Sequence, residues 1–277
     1  MSTIIIKIGG GKGIDPTRVA GEIASLVASG ERVVLVHGGS HETNELAEAL
    51  GHPTQTITSP SGHTSRRTDR RTLDIFNMAY CGRVNKAVVE SLRRRGADAV
   101  GLSGLDAGIW IGTRKSAIRA VEDGRTVLIR DDLSGKVDRV DTDFLNTLLG
   151  SGRVPVLTPP AVTPDGIAIN VDADRAAAAT AAALGADELL LLSNVPALLR
   201  DPSDPDSRIE QVNASTIEAA RSAARGRMKN KVLAAEEAIV GGVTRVVIAS
   251  AAREHAIAAA RAGEGTVFTS TRAEVNA

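Results

Sequence analysis

The chain has 277 residues, 43% hydrophobic and 24% charged, which is long for one compact domain, short for two full ones and sufficient for a large core. Basic and acidic residues number 33 each, so the formal net charge is zero and no global field draws the chain to nucleic acid or to a membrane. Aromatic residues make up only 2%, too few for modules that stack bases, and the lone Cys81 excludes an internal disulfide or a cysteine-built metal site and fits a reducing compartment.

Taken in chain order, the opening MSTIIIKIGG has no basic leader and too short an apolar run for a signal peptide. Ile4–Ile8, Val33–Val36, Ala99–Leu102, Val154–Leu157, Leu189–Leu192 and Val246–Ile248 are brief aliphatic runs bounded by Gly, Asp or Ser, and read as buried strands. Between them, helical periodicity is expected over Thr17–Ser29, His41–Leu50, Arg70–Tyr80, Arg83–Arg95, Asp172–Leu184, Met228–Val240 and Arg253–Ala262. Asp15-Pro16 suits the start of the first helix, with Asp as the cap and Pro in the first turn. Strand–helix alternation predicts an α/β fold, a parallel sheet with helices on both faces, in one continuous domain over residues 1–277. From Asp106 to Val140 the pattern changes to short β-like runs with a Glu122-Asp123-Gly124 turn, which predicts hairpins on the sheet's edge. Arg200–Ser207, rich in Pro and Asp, reads as an exposed loop. The alanine run Ala176–Ala183 is far short of a membrane span, and the expected location is the cytoplasm.

Several segments carry chemistry. In the first, a strand carrying Lys7 runs through Ile8 into Gly9-Gly10-Gly11; glycines let backbone N–H groups approach an anion, and the lysine adds a point charge for phosphate. Neither a Walker A loop nor G-x-G-x-x-G occurs there, and a plain glycine turn beside an exposed lysine accounts for it equally well. Val33–Val36 likewise enters His37-Gly38-Gly39-Ser40, where Ser40 can begin a helix. His37 reads as a strand-end residue bonded to backbone rather than as a general base. Asn170-Val171-Asp172-Ala173-Asp174 opens the alanine-rich helix, in the position of capping residues as well as of ligand-binding ones. Gly226-Arg227-Met228-Lys229-Asn230-Lys231 sets lysines against the positive end of a helix, which favours an anion nearby. Between Arg66 and Arg95 stand nine Arg or Lys against three Asp or Glu, a local +6 balanced by −6 elsewhere. Arg66, just ahead of a helix, suits bidentate capture of a carboxylate.

The order of these segments is more specific than any one of them. Lys-x-Gly-Gly, His-Gly-Gly, Arg-x-Thr-Asp, Asn-x-Asp-Ala-Asp and Gly-x-Met-x-x-Lys follow one another as in the amino acid kinase family, which the chain resembles over essentially its whole length. It looks like the N-acetylglutamate kinase branch. Within that branch Ser59–Arg66, Gly101–Asp106, Arg114–Arg119 and Leu192–Pro196 resemble kinases that act on aminoadipate or glutamate linked to an amino-group carrier protein.

The resemblance implies a three-layer α/β/α sandwich with a mainly parallel sheet, of the carbamate kinase type. An N-lobe (about 1–170) would bind the acceptor and a C-lobe (about 171–277) ATP. It further implies that Lys7 and Lys231 stabilise the transferring phosphoryl group while Asp174 holds both. Gly9, Gly10 and Gly11 would cradle phosphate, Gly38, Gly39 and Ser40 the acceptor carboxylate, and Arg66 and Asn170 the remote polar groups of the substrate. Nucleotide would lie near Ser193, Asn194, Gly226, Met228 and Lys229, with Mg²⁺ held by the ATP phosphates rather than by a protein metal site. The implied partners are a second copy, as a homodimer, and a small acidic carrier attracted to Arg66, Arg67, Arg70, Arg71, Arg83 and Lys86.

This chain departs from free N-acetylglutamate kinases at Ser40, where a third Gly is usual, and at Asp172, where a second Asn is. His63 and Arg67 stand where the carrier-linked pattern has aromatics. A free N-acetylglutamate kinase, or a non-catalytic sensor of amino acid or nucleotide, are the competing readings.

Overall fold

A computed structural model describes residues 2–60, 62, 64–122 and 125–270. From the N-terminus, β1 (Thr3–Ile8) leads through the glycine segment into α1 (Ala20–Ala28), and β2 (Arg32–His37) runs directly into α2 (Ser40–Ala49). Asp15 accepts from Thr17 N at 2.9 Å, but the Asp-Pro turn precedes the helix, whose regular part starts at Ala20. β3 (Thr56–Thr58) and β4 (Thr64–Arg66) pair as a hairpin. Asp69 then caps α3 (Arg70–Asn77) by accepting from Thr72 N at 2.8 Å. A π-helical turn over Met78–Val84 carries this helix into α4 (Asn85–Arg93), where the sequence pattern predicts a break. β5 (Ala99–Ser103), β6 (Trp110–Arg114), β7 (Ile118–Glu122), β8 (Arg125–Ile129) and β9 (Gly135–Val140) follow, then α5 (Thr142–Gly150), β10 (Val154–Thr158), β11 (Ala161–Val162) and β12 (Ala168–Ile169). The C-terminal part comprises α6 (Ala173–Ala183), β13 (Glu188–Ser193), β14 (Gln211–Val212), α7 (Ile217–Ala223), α8 (Met228–Val240), β15 (Arg245–Ser250), α9 (Ala256–Arg261) and β16 (Thr266–Thr269).

The main sheet has eight strands in the order β14-β16-β15-β13-β1-β2-β10-β5, parallel throughout except between β15 and β16. All six aliphatic runs enter it. Alternation along each strand sorts their side chains onto two faces. Ile5, Val34, Val36, Leu189, Leu191, Val246 and Ile248 pack with α5, α6 and α8. Ile4, Ile6, Ile8, Val33, Leu35, Leu190, Leu192 and Val247 pack with α1, α4 and α9. Each fully buried side chain of this kind contributes about 1.5–3 kcal/mol of transfer free energy, so the sandwich is held from both faces. The alanines of α6 leave room for the helix to lie close to β1 and α8.

The expected edge hairpins do not join this sheet. β6 and β9 pair with each other and with β11 and β12 in a separate four-stranded sheet that lies along α6. β7 and β8 form a hairpin of their own, and Ala120 and Ile129 bury Ile57 of β3. The reason is non-local: the partners β11 and β12 lie beyond α5, where short-range pattern does not reach. Asp123 and Gly124 of the expected turn, and His63, lie outside the described residues. Arg200–Asp206 is exposed, as expected. No helix among the described residues is long and apolar enough to cross a membrane.

Candidate active site

Lys7 has the parity of Ile5, so its side chain enters the face covered by α6 and α8 instead of solvent. A buried ammonium requires a partner. It finds Asp174, one residue into α6: Lys7 Nζ lies 2.6 Å from Asp174 Oδ1, and Lys231 Nζ of α8 lies 2.7 Å from Oδ2. All three side chains are buried, with relative exposures of 5%, 7% and 8% for Lys7, Asp174 and Lys231. Burial works against the Asp174 carboxylate, yet Lys231 and Lys7 together hold it well below the usual carboxylate range. For Lys7, burial lowers the pKa, Asp174 opposes this, and the second ammonium of Lys231 adds to the lowering. One carboxylate cannot neutralise two ammoniums, so the cluster keeps a buried positive charge that an incoming anion relieves.

α6 and α8 are tied on either side of this pair. Asp172 caps α6 through Oδ1, accepting from Asp174 N (2.9 Å) and Arg175 N (3.0 Å), and its Oδ2 accepts from Asn230 Nδ2 at 2.8 Å. One residue past Asp174, the Arg175 guanidinium meets Glu237 at 3.0 Å and 2.5 Å. Sequence singles out Asp172 and Asn230 only as members of motifs; that they bond across the two helices has no local signature.

Beyond the strand ends, two glycine loops cross. A carbon added to Gly10 would stand 2.0 Å from Gly39 N, so this contact requires a residue without a side chain. Ser40 Oγ donates to Gly10 O at 2.9 Å, and His41 N donates to the same oxygen at 2.8 Å. Gly9 N donates to Leu192 O at 2.9 Å, which sets Ser193 beside the loop. The N-terminus of α2, starting at Ser40, is therefore locked next to the lysine cluster with the donor groups a helix start offers to anions. His37 is fully buried: its Nδ1 contacts Gly38 O at 2.9 Å and its Nε2 meets Asn85 Nδ2 at 3.0 Å. Asn85 also donates to Val156 O at 3.0 Å, so it donates to Nε2 and leaves Nδ1 to donate to Gly38 O. Desolvation pulls His37 down to about 4, and the ring serves as a neutral strut.

Beyond the start of α2, Arg66 turns inward. Its Nη2 donates to Ser40 O (3.1 Å) and Asn44 Oδ1 (2.7 Å), while Nη1 is buried without a hydrogen-bond partner among the described residues. Burial lowers its pKa; Tyr80 opposes that and Arg227 adds to it. Asn170 Nδ2 donates to Thr68 Oγ1 at 3.0 Å, which joins it to the segment bearing Arg66. Tyr80, placed by the π turn, stacks on Phe76 with centroids 3.8 Å apart and presses its ring against Gly39. Nothing in the local sequence foretells that turn.

The basic cluster is less uniform than its sequence. Arg67 pairs with Asp131 at 2.8 Å and Arg70 with Asp74 at 2.5 Å, Arg71 reaches Leu50 O at 3.4 Å, and Lys86 bonds Asn85 Oδ1 at 3.1 Å. Arg83 is exposed. Toward the C-terminal half, Ser193 is buried, Met228 packs on the core, and Asn194, Lys229 and Gly226 lie in or near solvent, Gly226 with a left-handed φ of 51°.

The model of the amino acid kinase family matches residues 2–250. A LysW-aminoadipate kinase of Deinococcus radiodurans is 54% identical over 269 residues, covering 97% of this chain and 92% of that protein. Its counterpart of the same name in Thermus thermophilus is 49% identical over 266 residues, covering 95% and 99%. An acetylglutamate kinase of Pelotomaculum thermopropionicum is 34% identical over 260 residues, covering 92% and 86%. Among solved structures, N-acetylglutamate synthase of Neisseria gonorrhoeae superposes with a TM-score of 0.74 at 26% identity, over 97% of this chain and 59% of that longer one. Carbamate kinase of Giardia lamblia superposes at 0.67 and 17% identity, over 97% and 98%, a likeness of fold.

Proposed function

The chain belongs to the amino acid kinase family, and from that premise we propose that it phosphorylates the side-chain carboxylate of α-aminoadipate, or glutamate, held on a small amino-group carrier protein. ATP is the donor, and the products are ADP and an acyl phosphate on the carrier-linked substrate. This is a carboxyl-group phosphotransfer of amino-acid biosynthesis, in the lysine route for aminoadipate. The observation that carries the reading is the buried Lys7–Asp174–Lys231 cluster, with two cations on one carboxylate, set beneath two crossing glycine loops.

The chemistry follows from that charge count. An acceptor carboxylate has an ordinary pKa near 4.3 and is already ionised at neutral pH, so no general base is required and His37 has no proton to take. The difficulty is bringing two anions together. Lys7 and Lys231 offset that repulsion and stabilise charge on the transferring group, and Asp174 fixes their positions. The donor set is cationic, and its carboxylate is already held by both lysines, so it fits polyphosphate oxygens. Mg²⁺ enters on the nucleotide phosphates and supplies further charge neutralisation when bound. Gly9–Gly11 take phosphate, Gly38–Ser40 the acceptor carboxylate, and Arg66 and Asn170 the distal end of the substrate. Ser193, Asn194, Gly226, Met228 and Lys229 border the nucleotide. The carrier docks by charge on Arg66, Arg67, Arg70, Arg71, Arg83 and Lys86, and two copies form a dimer.

Relatives named for a carrier-linked acceptor match at higher identity than the acetylglutamate kinase, which favours the carrier-linked substrate. The test is ADP release measured side by side with free N-acetylglutamate, carrier–glutamate and carrier–aminoadipate. Turnover of free N-acetylglutamate at low KM would replace the carrier reading, and no turnover with any acceptor would sink the kinase.

A further inference from the structure

Arg227 precedes Met228, the first residue of α8, and stands four residues before Lys231, so the two share one helix face one turn apart. The face that buries Lys231 in the cluster thus carries Arg227 outward along the site. Its guanidinium arrives at the glycine loop: Arg227 Nη1 is 3.8 Å from where a carbon on Gly11 would stand. Arg227 is exposed, and its side chain makes no ion pair or hydrogen bond with another described residue. Neighbouring arginines differ, since Arg225 bonds the carbonyl of Ala224 at 3.1 Å and Arg221 bonds Glu236. Across the site lies Arg66, whose buried Nη1 also lacks a partner, and the two guanidiniums are near enough for Arg227 to lower the Arg66 pKa. Two guanidiniums that form no ion pair among the described residues, one of them with a buried nitrogen left over, leave a positive field between them that an anion completes.

We infer that Arg227 is a further catalytic residue, which donates to the phosphoryl group as it passes from nucleotide to acceptor. This rests on the phosphotransfer reading above. In the step, the bond from the γ-phosphorus to the β–γ bridging oxygen breaks, with its electron pair leaving on ADP. A new bond forms from that phosphorus to the acceptor carboxylate oxygen. The equatorial oxygens carry the charge throughout, and a planar guanidinium matches them in a way a lysine does not. Arg227 differs from Lys7 and Lys231 in being free of Asp174, so it can follow the group across.

The test uses the full-length enzyme with Arg227→Gln, Arg227→Lys and Lys7→Ala, assayed by ADP release with carrier–aminoadipate. Arg227→Gln is expected to lower kcat about 10–100-fold, with KM for ATP and acceptor changed less than about threefold and the melting temperature unchanged. Arg227→Lys should recover only part of the loss, because it keeps the charge and loses the fork. An Arg227→Gln enzyme with wild-type kcat, or one whose only defect is a raised KM for ATP, would overturn the assignment. Lys7→Ala separates the two levels: if it is also fully active, the phosphotransfer reading itself falls, whereas an inactive Lys7→Ala beside an active Arg227→Gln removes Arg227 alone.

Discussion

The two ends of the proposed site, one for the phosphoryl group and one for the acceptor, are built by different means. At the phosphoryl end, Lys7, Asp174 and Lys231 come from a central strand and two helices locked together by the Asp172–Asn230 and Arg175–Glu237 bonds, and all three are buried. At the acceptor end, Arg66 closes a three-residue strand, Asn170 follows a two-residue strand, and the β7–β8 hairpin rests against β3 through a handful of apolar side chains. Charge stabilisation demands preorganisation, and only the core supplies it. Recognition of a substrate's far end tolerates small sheets whose geometry can change without disturbing the chemistry.

That contrast can be broken most severely at the core. Lys7→Ala should lower kcat by about 10²–10³-fold or more while raising the acceptor KM far less, as measured by steady-state ADP release. Asp174→Asn should do as much to kcat and also cost about 3–5 kcal/mol of stability in denaturant titration, because it strands two buried ammoniums. The acceptor end should respond in the opposite parameter. Arg66→Ala is expected to raise the acceptor KM about 10–100-fold through the loss of charge-assisted hydrogen bonds, with kcat moving a few-fold, and an equal fall in both would blur the division.

A pH profile sharpens the comparison further. Lys7 loses its charge as pH rises through a pKa that burial has lowered, so the alkaline limb of kcat should lie below the ordinary lysine value. Asp174→Asn removes the group that opposes the lowering and should move that limb lower still. Asp174 is held well below the usual carboxylate range, so it contributes no acid limb near neutrality. The smallest effects belong to the carrier surface. Carrier affinity should weaken as ionic strength rises, and a salt-independent Kd would sink the charge-docking proposal. Arg67→Ala should change that Kd less than about fivefold, since Arg67 already spends its charge on Asp131 and an exposed pair is worth about 0–1 kcal/mol.

How far each region could be read from sequence follows the same line. The six aliphatic runs read as buried strands, but taken alone the first leaves Lys7 as an exposed residue beside a glycine turn. Only the ordered motifs of the family resemblance set Asp174 and Lys231 against it, and the structure adds the strand parity that buries it. The sequence pattern does not mark α5 and α7, although Asp141 caps α5 by accepting from Phe144 N at 3.0 Å. Their short apolar repeats are weaker than those of the long helices. The four-stranded sheet escaped because β6 meets β11 across about 50 residues, and pairing at that separation is decided by tertiary contact. The π turn escaped because an extra residue in a helix has no compositional mark. Arg227 had one available signal, its spacing from Lys231, which becomes meaningful only once Gly11 is seen beneath it.

Gly10 and Gly11 are adjacent letters, yet they differ sharply in how far the chain could drift. A methyl on Gly10 would press on backbone atoms of Gly38 and Gly39 at 2.0–2.6 Å, with no flexible neighbour to yield, and would wedge β1 from β2. A methyl on Gly11 meets nothing nearer than a guanidinium nitrogen at 3.8 Å. Under saturation mutagenesis selected for growth, position 10 should therefore return glycine alone, while position 11 should accept small residues. A run of identical residues thus hides one position where variation is closed and another where it is open.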